Sequence, residues 1–146
     1  MITATIDTNI ILCGLISNRG ASYQILHRLI EKQFIAQISV PIFLEYESIL
    51  KRQENLKLTA LTAKDIDVFL TFIAKAAQSV ERIYYLWRPL LLDENDNIFV
   101  ECAVTAGSQY LVTNNINDYK QCNRLFSFQV IKPGEFLKLI DRRDIR

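Results

Sequence analysis

The sequence predicts an α/β fold, a three-layer α/β/α arrangement with a mostly parallel central sheet. Short apolar runs of strand length alternate along the 146 residues with amphipathic stretches of helical length, an order typical of parallel sheets covered by helices on both faces. The chain also has the commonest length for one domain and contains no repeat, linker or low-complexity tract. We therefore expect residues 1–146 to form a single domain.

The first third of the chain contains two predicted strands and two predicted helices. Residues 1–7, MITATID, alternate apolar and polar side chains, which indicates a short strand that ends in a loop. A helical apolar stripe runs through residues 22–34, and residues 34–40, FIAQISV, form the second predicted strand. Pro41 suits the first turn of the next helix, where its missing N–H is not needed. Four side chains of that helix are expected to face the core: Phe43, Leu44, Ile49 and Leu50.

The rest of the chain continues this alternation. Thr62, with Asp65 three residues later, predicts the capped start of a long helix. Residues 83–87, IYYLW, are compatible with a strand or a loop, and their aromatic rings with core packing or with stacking on RNA bases. Another helix is expected from residue 98 to Ala106, ended by Gly107. The strands YLVT and FQVI follow, and a last helix begins near Pro133.

Composition narrows the functional classes. The formal net charge is +1, so a nucleic-acid partner would have to be bound through local patches or bound cations. The sequence has neither an apolar run of membrane-spanning length nor a secretory signal, and we expect a cytoplasmic protein with no membrane partner. Three widely spaced cysteines, Cys13, Cys102 and Cys122, form no zinc-binding group and are expected to be reduced and buried. With His27 as the single histidine and only four glycines, triads and glycine-rich nucleotide loops are not indicated, and no organic cofactor is expected.

Carboxylates occur where parallel strands end or helices begin. Functional groups in open parallel sheets gather at the carboxyl ends of the strands. Asp7 follows the first predicted strand, Asp118 follows YLVT, Asp96 opens the helix before that strand, and Glu45 lies in the helix after the second strand. Each has a plainer interpretation as a turn former, a helix cap or a solvated side chain.

Convergence of these carboxylates would have a chemical consequence. Two like charges about 4 Å apart repel by on the order of 4 kcal/mol at an effective dielectric near 20, so such a cluster must take up protons or bind cations. Oxygen ligands without histidine or cysteine suit Mg²⁺ or Mn²⁺. Such an ion can activate water for attack on a phosphodiester.

Four segments, in this order, resemble the motifs of the PIN-domain family: TIDTNIIL, SVPIFLEYESILKR, WRPLLLDENDNIFVECAVTAG and YLVTNNINDY. The chain is similar in particular to the bacterial PIN-family toxins of toxin–antitoxin systems, the VapC-like ribonucleases. The resemblance implies a PIN-like fold and a hydrolase that cleaves RNA with Mg²⁺ or Mn²⁺. A cognate antitoxin and a homodimer are the partners that it implies.

Carried over by position, the resemblance makes Asp7, Glu45, Asp96 and Asp118 the catalytic, metal-binding carboxylates. It makes Asn9, Thr113 and Asn115 supporting polar residues, and Asp93 is a possible outer-shell residue. The chain departs from the pattern of many relatives at Asn97, which replaces a second acidic residue, and at Asn115, which stands where some members have Asp. Metal binding could therefore be weaker here.

Two other functions stay open at this point. A PIN scaffold with weakened catalysis would bind RNA or a protein without cutting, and Asn97 and Asn115 motivate it. A phosphotransfer enzyme with an aspartate after its first strand usually needs a second aspartate two residues later, where this chain has Asn9. The RNA target, the antitoxin, the oligomeric state and the number of metal ions do not follow from the sequence.

Overall fold

The structure, a computed structural model, describes residues 1–81 and 97–144. Within these ranges a single sheet of five parallel strands lies at the centre. Its strands are β1 (Thr3–Ile6), β2 (Ile35–Ile38), β3 (Gln78–Ser79), β4 (Tyr110–Val112) and β5 (Gln129–Ile131). Their order across the sheet is β3-β2-β1-β4-β5. The predicted three-layer α/β/α fold with a parallel sheet is thus confirmed.

Helices connect these strands. In the described part of the chain they are α1 (Thr8–Ile16), α2 (Ala21–Ile30), α3 (Val40–Leu50), α4 (Gln53–Thr59), α5 (Ala63–Ala76), α6 (Asn97–Ala106), α7 (Cys122–Leu125) and α8 (Pro133–Asp144). A 3-10 turn, Ile116–Tyr119, lies between β4 and α7. No helix in the described ranges is both long and apolar enough to cross a membrane.

Strand β1 lies in the middle of the sheet and decides where a site can form. It pairs with β2 on one side, Ala4 opposite Ala36, and with β4 on the other, Ile6 opposite Val112. The chain adds β2 and β3 on one side and then returns to add β4 and β5 on the other. The order therefore reverses between β1 and β4, and a crevice opens beyond the carboxyl ends of strands at such a point.

Most predicted elements are confirmed, and α1 is the main difference. We expected a loop after Asp7, whereas α1 begins at the next residue, Thr8. Its sequence, TNIILCGLI, is apolar on nearly all sides, so it shows no helical stripe. Helix α4 was also not predicted. The interpretation of residues 83–87 lies outside the described residues.

The cap of α5 and the place of Pro41 in the first turn of α3 agree with the sequence prediction, whereas the Ser39 cap of α3 was not predicted. Ser39 caps α3 by accepting the N–H of Ile42 at 3.3 Å, ahead of Pro41 in the first turn. Thr62 accepts the N–H of Asp65 at 3.1 Å, and the Asp65 carboxylate accepts the N–H of Thr62 at 2.9 Å. These hydrogen bonds lower the pKa of Asp65.

One inward-facing prediction for α3 is wrong. Leu44 is 55% exposed, beside the exposed Val40 of the same helix. Helix α5 likewise exposes Val68 and Phe72, and α3 and α5 pack against each other. An apolar residue on an exposed helix face has the same spacing signal as one at the edge of the core, so the sequence pattern could not separate them.

The three cysteines are free, as predicted, but their burial differs. Cys102 and Cys122 are buried, whereas Cys13 is exposed, so the expectation of burial is wrong for Cys13. Burial raises the pKa of both Cys102 and Cys122 to about 11. Cys13 lies near the end of α1, where its sulfur accepts a weak hydrogen bond at 3.8 Å from the side-chain amide of Asn114.

A buried polar network lies where β1, β2 and β3 adjoin, on the side of β1 away from β4. The hydroxyls of Thr5 and Ser108 are 2.8 Å apart, and Ser108 donates to the side-chain carbonyl of Gln37 at 2.5 Å. The amide of Gln37 in turn donates to Gln78 at 2.9 Å. Because a shift of register would leave these buried groups without partners, the network favours one alignment of β1, β2 and β3.

Helices α1, α2 and α8 form one packed group. A Cβ on Gly14 of α1 would lie 2.5 Å from Cδ1 of Leu26 in α2, so only glycine permits this approach. Arg28 of α2 forms an ion pair at 2.6 Å with Asp141 of α8. Helix α1, which begins next to Asp7, thus packs closely against α2.

Candidate metal centre

Asp7 occupies the point where the strand order reverses. It follows β1 and precedes α1, and its backbone N–H donates to the carbonyl of Val112 in β4 at 3.0 Å. Its side chain is buried, with 5% of the residue surface exposed. The sequence predicted this location from the end of the first strand, and the fold explains it, because β1 and β4 end side by side.

Three side chains donate hydrogen bonds to the same oxygen of Asp7. Oδ2 accepts from the hydroxyl of Thr113 at 2.7 Å, from the hydroxyl of Tyr119 at 3.2 Å and from the amide of Asn9 at 3.2 Å. Oδ1 accepts no hydrogen bond from any side chain in residues 1–81 and 97–144. The side-chain contacts of the carboxylate are therefore asymmetric, since all three described donors reach the same oxygen.

Burial is the main influence on the charge of Asp7. It raises the pKa of Asp7 above its ordinary value, against hydrogen bonds from Thr113, Tyr119 and the backbone N–H groups of Thr8 and Asn9, which lower it. The net direction is upward, so the pocket disfavours the ionised carboxylate when no cation is present. A bound cation would reverse that preference.

Two of the three predicted supporting residues, Asn9 and Thr113, contact this carboxylate, whereas Asn115 is exposed and has no hydrogen bond to it among the described contacts. Thr113, fully buried at the end of β4, accepts the backbone N–H of Asn115 at 3.0 Å. The side chain of Asn9 accepts the backbone N–H of Asn114 at 3.3 Å, and its amide lies 3.5 Å from the Thr113 hydroxyl. The turn after β4 is thus joined to the start of α1 directly beside Asp7.

Two tyrosines at this pocket were not predicted from the sequence. Tyr119 is fully buried and contacts Asp7. Tyr46 of α3 is also buried and donates a hydrogen bond to the carbonyl of Ile6, the residue before Asp7. Burial, followed by the charges of Cys102 and Asp7, raises the pKa of Tyr46 well above its ordinary value. A signal for Tyr119 was present, since an aromatic residue follows the aspartate in the last motif.

Asp118 and Glu45 each precede one of these tyrosines in the sequence, and neither forms a described hydrogen bond with Asp7. Asp118 is exposed on the 3-10 turn. It lines a cleft of about 410 Å³, together with Asn114, Asn115, Ile116, Asn117 and Lys132. Glu45 is half-buried on α3, one residue before Tyr46. Glu47 pairs with Lys51 at 3.4 Å on the outer side of the same helix.

Two predicted acidic residues, Asp93 and Asp96, lie outside the described residues, as do Tyr84, Tyr85 and Trp87. Within residues 1–81 and 97–144, no three His, Cys, Asp or Glu side chains come close enough to hold a metal ion together. Asn97, the position where the chain departs from the acidic pattern, is buried at the start of α6.

The donor chemistry around Asp7 fits a hard divalent cation. The oxygens gathered there belong to the carboxylate of Asp7 and the hydroxyls of Thr113 and Tyr119, and oxygen donors suit Mg²⁺ and Mn²⁺. The hydroxyl of Thr8, next to Asp7, is buried and has no hydrogen-bond partner among the described residues. Asp7 is the one carboxylate among the described side chains that meet at this pocket.

Fold and pocket together define a class, a three-layer α/β/α domain with a buried aspartate at the reversal point of a parallel sheet. The family model described as a PIN domain matches residues 3–117. The chain therefore belongs to the PIN-domain family, as its motifs indicated. PIN domains are in general nucleases and in general depend on divalent metals.

Among solved structures, the chain is similar to one in the crystal structure of VapBC2 from Rickettsia felis bound to a DNA fragment from their promoter. The TM-score is 0.57 at 17% sequence identity, and the match covers 90% of this chain and 98% of that chain. At this identity the likeness establishes the fold. No curated protein sequence matches the chain significantly.

Proposed function

We propose that this protein is a metal-dependent ribonuclease that acts as the toxin of a toxin–antitoxin pair. One observation carries the proposal. In a chain of the PIN-domain family, a buried aspartate stands at the reversal point of the sheet, with one oxygen held by three donors and the other not held by any described side chain. Burying a carboxylate in this way costs free energy that a bound cation would recover.

The proposed ligands of Mg²⁺ or Mn²⁺ are Asp7, Glu45, Asp96 and Asp118. Asn9, Thr113 and Asn115 are proposed to support them, and Asp93 to lie in the outer shell. The contacts of Asn9 and Thr113 with Asp7 support their part of this assignment. Asp96 would supply the further carboxylate that a complete oxygen ligand set requires.

The proposed reaction is hydrolysis of an RNA phosphodiester bond. The bound metal would supply two effects, a lower pKa of its water and neutralisation of charge on the phosphate. Thr113 and Asn9 hold the carboxylate of Asp7 in one orientation and favour its ionised form. Those donors are themselves fixed, Thr113 directly after β4 and Asn9 in the first turn of α1. The carboxylate therefore needs little reorganisation when charge develops nearby.

Basic residues that line two surface clefts support a polyanionic substrate. Lys132 lines the same cleft as Asp118, and Lys120 and Arg124 line a second cleft of about 580 Å³ with Gln121 and Leu125. Both clefts border the segment from Asn114 to Leu125, which follows β4. Basic side chains at these positions can contact a phosphate backbone without reading its base sequence. Such local basic patches are consistent with nucleic-acid binding by a protein whose net charge is only +1.

A protein antitoxin is the proposed partner, and the cytoplasm the proposed location. The similar solved structure is that of VapBC2 bound to a DNA fragment from their promoter, which supports a partner of this kind for a chain with the same fold. We also propose that residues 1–146 form one domain. The match to the family ends at residue 117, and the segment beyond it completes the sheet with β5 and covers it with α8.

A homodimer is proposed through the outer surface of α3 and α5. The exposed apolar side chains Val40, Leu44, Val68 and Phe72 occupy adjacent helices that the 2.6 Å ion pair of Lys51 with Asp67 joins. Light scattering after size exclusion should give a dimer, and Leu44→Glu should give a monomer. A monomeric wild-type protein would contradict this part of the proposal.

The decisive experiment is RNA cleavage by the purified chain. Cleavage should require Mn²⁺ or Mg²⁺, stop in EDTA, and fall by a factor of about 100 or more in Asp7→Asn and Asp96→Asn. Glu54→Gln, an exposed carboxylate on α4, serves as the matched control and should cleave like wild type. If Asp7→Asn and Asp96→Asn cleave as well as this control, the assignment of the site is wrong.

The toxin role has its own test. Expression of the wild-type chain should arrest growth, expression of Asp7→Asn should not, and coexpression of a small neighbouring gene with a DNA-binding N-terminal region should restore growth. Growth arrest that persists in Asp7→Asn would separate toxicity from the proposed chemistry.

The second candidate is a PIN scaffold with weakened catalysis that binds RNA or a protein. Two observations favour it, the amides Asn97 and Asn115 at positions where relatives carry acids, and the exposed location of Asp118 away from hydrogen-bond contact with Asp7. Calorimetry would decide between the two. No heat of Mn²⁺ binding at millimolar concentration, with retained RNA binding, would favour the scaffold.

A further inference from the structure

Tyr119 is the largest fully buried side chain among the described residues, and it places a phenolic hydroxyl beside a carboxylate. Its ring fills space in the core, a task that phenylalanine would perform as well. The hydroxyl adds a hydrogen bond of 3.2 Å to Oδ2 of Asp7. A buried hydroxyl must have such a partner, because burial without one is unfavourable.

The 3-10 turn gives this hydrogen bond a second consequence. Ile116–Tyr119 is four residues long, and its last two members point in opposite directions, with Asp118 exposed and Tyr119 buried. The turn that carries Asp118 is therefore anchored at its last residue to Asp7. Any movement of the Tyr119 hydroxyl along the pocket would move the adjoining Asp118 as well.

Tyr119 also differs from the other two donors in its place along the chain. Thr113 directly follows β4 and Asn9 lies in the first turn of α1, so both are fixed by the elements that flank Asp7. Tyr119 approaches from the loop after β4, which no strand pairing within the described ranges holds at that point. Its hydrogen bond closes the ring of donors around Oδ2 and keeps Oδ1 clear of described side-chain donors.

We propose that Tyr119 is a positioning residue that sets the relative position of the Asp7 and Asp118 carboxylates for binding of a divalent cation. It fixes the rotation of the Asp7 carboxylate through Oδ2, and it holds the turn from which Asp118 reaches the cleft. This inference rests on the proposed function, because the two carboxylates are proposed ligands of the same site. Outer residues that orient metal ligands in this way contribute measurably to metal affinity.

Calorimetric titration with Mn²⁺ alone, without RNA, tests the proposal. Tyr119→Phe keeps the ring and removes the hydroxyl, and we expect Mn²⁺ to bind about tenfold more weakly. The matched control is Tyr46→Phe, which removes another buried tyrosine hydroxyl from the same pocket, one that bonds to the carbonyl of Ile6. This control should bind Mn²⁺ within about twofold of wild type.

Thermal unfolding of the three proteins separates positioning from stability. If Tyr119 were only structural, both variants would lose thermal stability and neither would lose Mn²⁺ affinity, and that result would overturn the proposal. Equal weakening of Mn²⁺ binding in both variants would also overturn it. Failure of the proposed function looks different, since the wild-type protein itself would then show no Mn²⁺ binding.

Discussion

The hydroxyl of Thr113 donates a 2.7 Å hydrogen bond to Oδ2 of Asp7 across a separation of 106 residues. It joins the carboxyl ends of two adjacent parallel strands, β1 and β4, at the position where the strand order reverses. Neither group is exposed to more than 5%. The bond therefore serves both the packing of the sheet and the orientation of the carboxylate, and its removal should affect both.

Replacement of Thr113 by valine keeps the shape of the side chain and removes the hydroxyl that donates to the buried carboxylate of Asp7. This change should lower the free energy of unfolding by about 1–3 kcal/mol. Urea unfolding at pH 7 measures this change. Thr71→Val is the matched control. The Thr71 hydroxyl is exposed and donates to the carbonyl of Asp67 within α5, so the control should change the free energy by less than about 0.5 kcal/mol. Equal effects of the two substitutions would contradict a special role for the bond to Asp7.

The pH dependence of stability should reveal the burial of Asp7. Its pKa in the folded protein lies above the ordinary value of 3.8, so between those two pKa values the folded state binds more protons than the unfolded state. The free energy of unfolding therefore falls as pH rises through that interval and does not recover above it. The Asp7→Asn variant has no carboxyl group at this position and therefore does not lose stability in this way as pH rises. In EDTA, its stability relative to wild type should increase as pH rises from 4 to 7.

A second aspartate provides a control of opposite sign. Hydrogen bonds in the helix cap lower the pKa of Asp65 below 3.8, so its contribution to stability is present above that value and is lost as pH falls through the lower pKa. Asp65→Asn should therefore be less stable than wild type between pH 4 and 7, with a nearly constant difference. If Asp7→Asn behaved like Asp65→Asn, the upward direction for Asp7 would be refuted.

Gly14→Ala should destabilise the protein by about 1–3 kcal/mol, because the new methyl group would meet the side chain of Leu26 at 2.5 Å and the carbonyl of Ser22 at 3.0 Å. The control is Gly134→Ala, where a methyl group has no described neighbour within 4 Å and lies in the first turn of α8. That substitution should be neutral or stabilise by up to about 1 kcal/mol. Chemical denaturation of both variants decides, and a neutral Gly14→Ala would contradict the close approach of α1 and α2.

The cysteines should differ in reactivity. In the native protein at pH 8, a thiol reagent should modify Cys13 rapidly, because it is exposed. Cys102 and Cys122 should react only on unfolding, since both are buried and burial raises their pKa values to about 11. The measurement is the number of thiols modified before and after addition of denaturant. Cys13→Ser should abolish the rapid phase, and a rapid phase that survives this substitution would show that a buried cysteine is accessible.

The regular part of the fold could be predicted because it carries a periodic signal. The strands at residues 3–6 and 110–112 and the capped helix from Ala63 were expected from alternation, apolar runs and the pair Thr62 and Asp65. Helix α1 could not be predicted, because a helix whose side chains are apolar on nearly all sides has no polar face to reveal its period. The exposed Leu44 was misassigned for the complementary reason, since an apolar surface residue repeats with the same spacing as a core residue.

The site was predictable as far as the strand ends determine it. Asp7 and Thr113 follow strands that parallel pairing brings side by side, and Asn9 lies two residues further along, in the first turn of α1, so their meeting follows from the sheet. Tyr119 was not predicted, since its direction depends on a 3-10 turn that places neighbouring side chains on opposite sides. Glu45, Asp96 and Asp118 remain proposals.

The pairing of β1 with β4 also determines when this pocket can exist during synthesis. Strand β1 is synthesised before β4, yet two of the donors to Asp7 are residues 113 and 119. At about 5–20 residues per second, a growing chain spends about 6–20 s with Asp7 already made and those donors absent. A nascent or truncated chain that lacks residues 113–119 therefore cannot assemble this set of donors, so the complete pocket can form only after that segment has been synthesised.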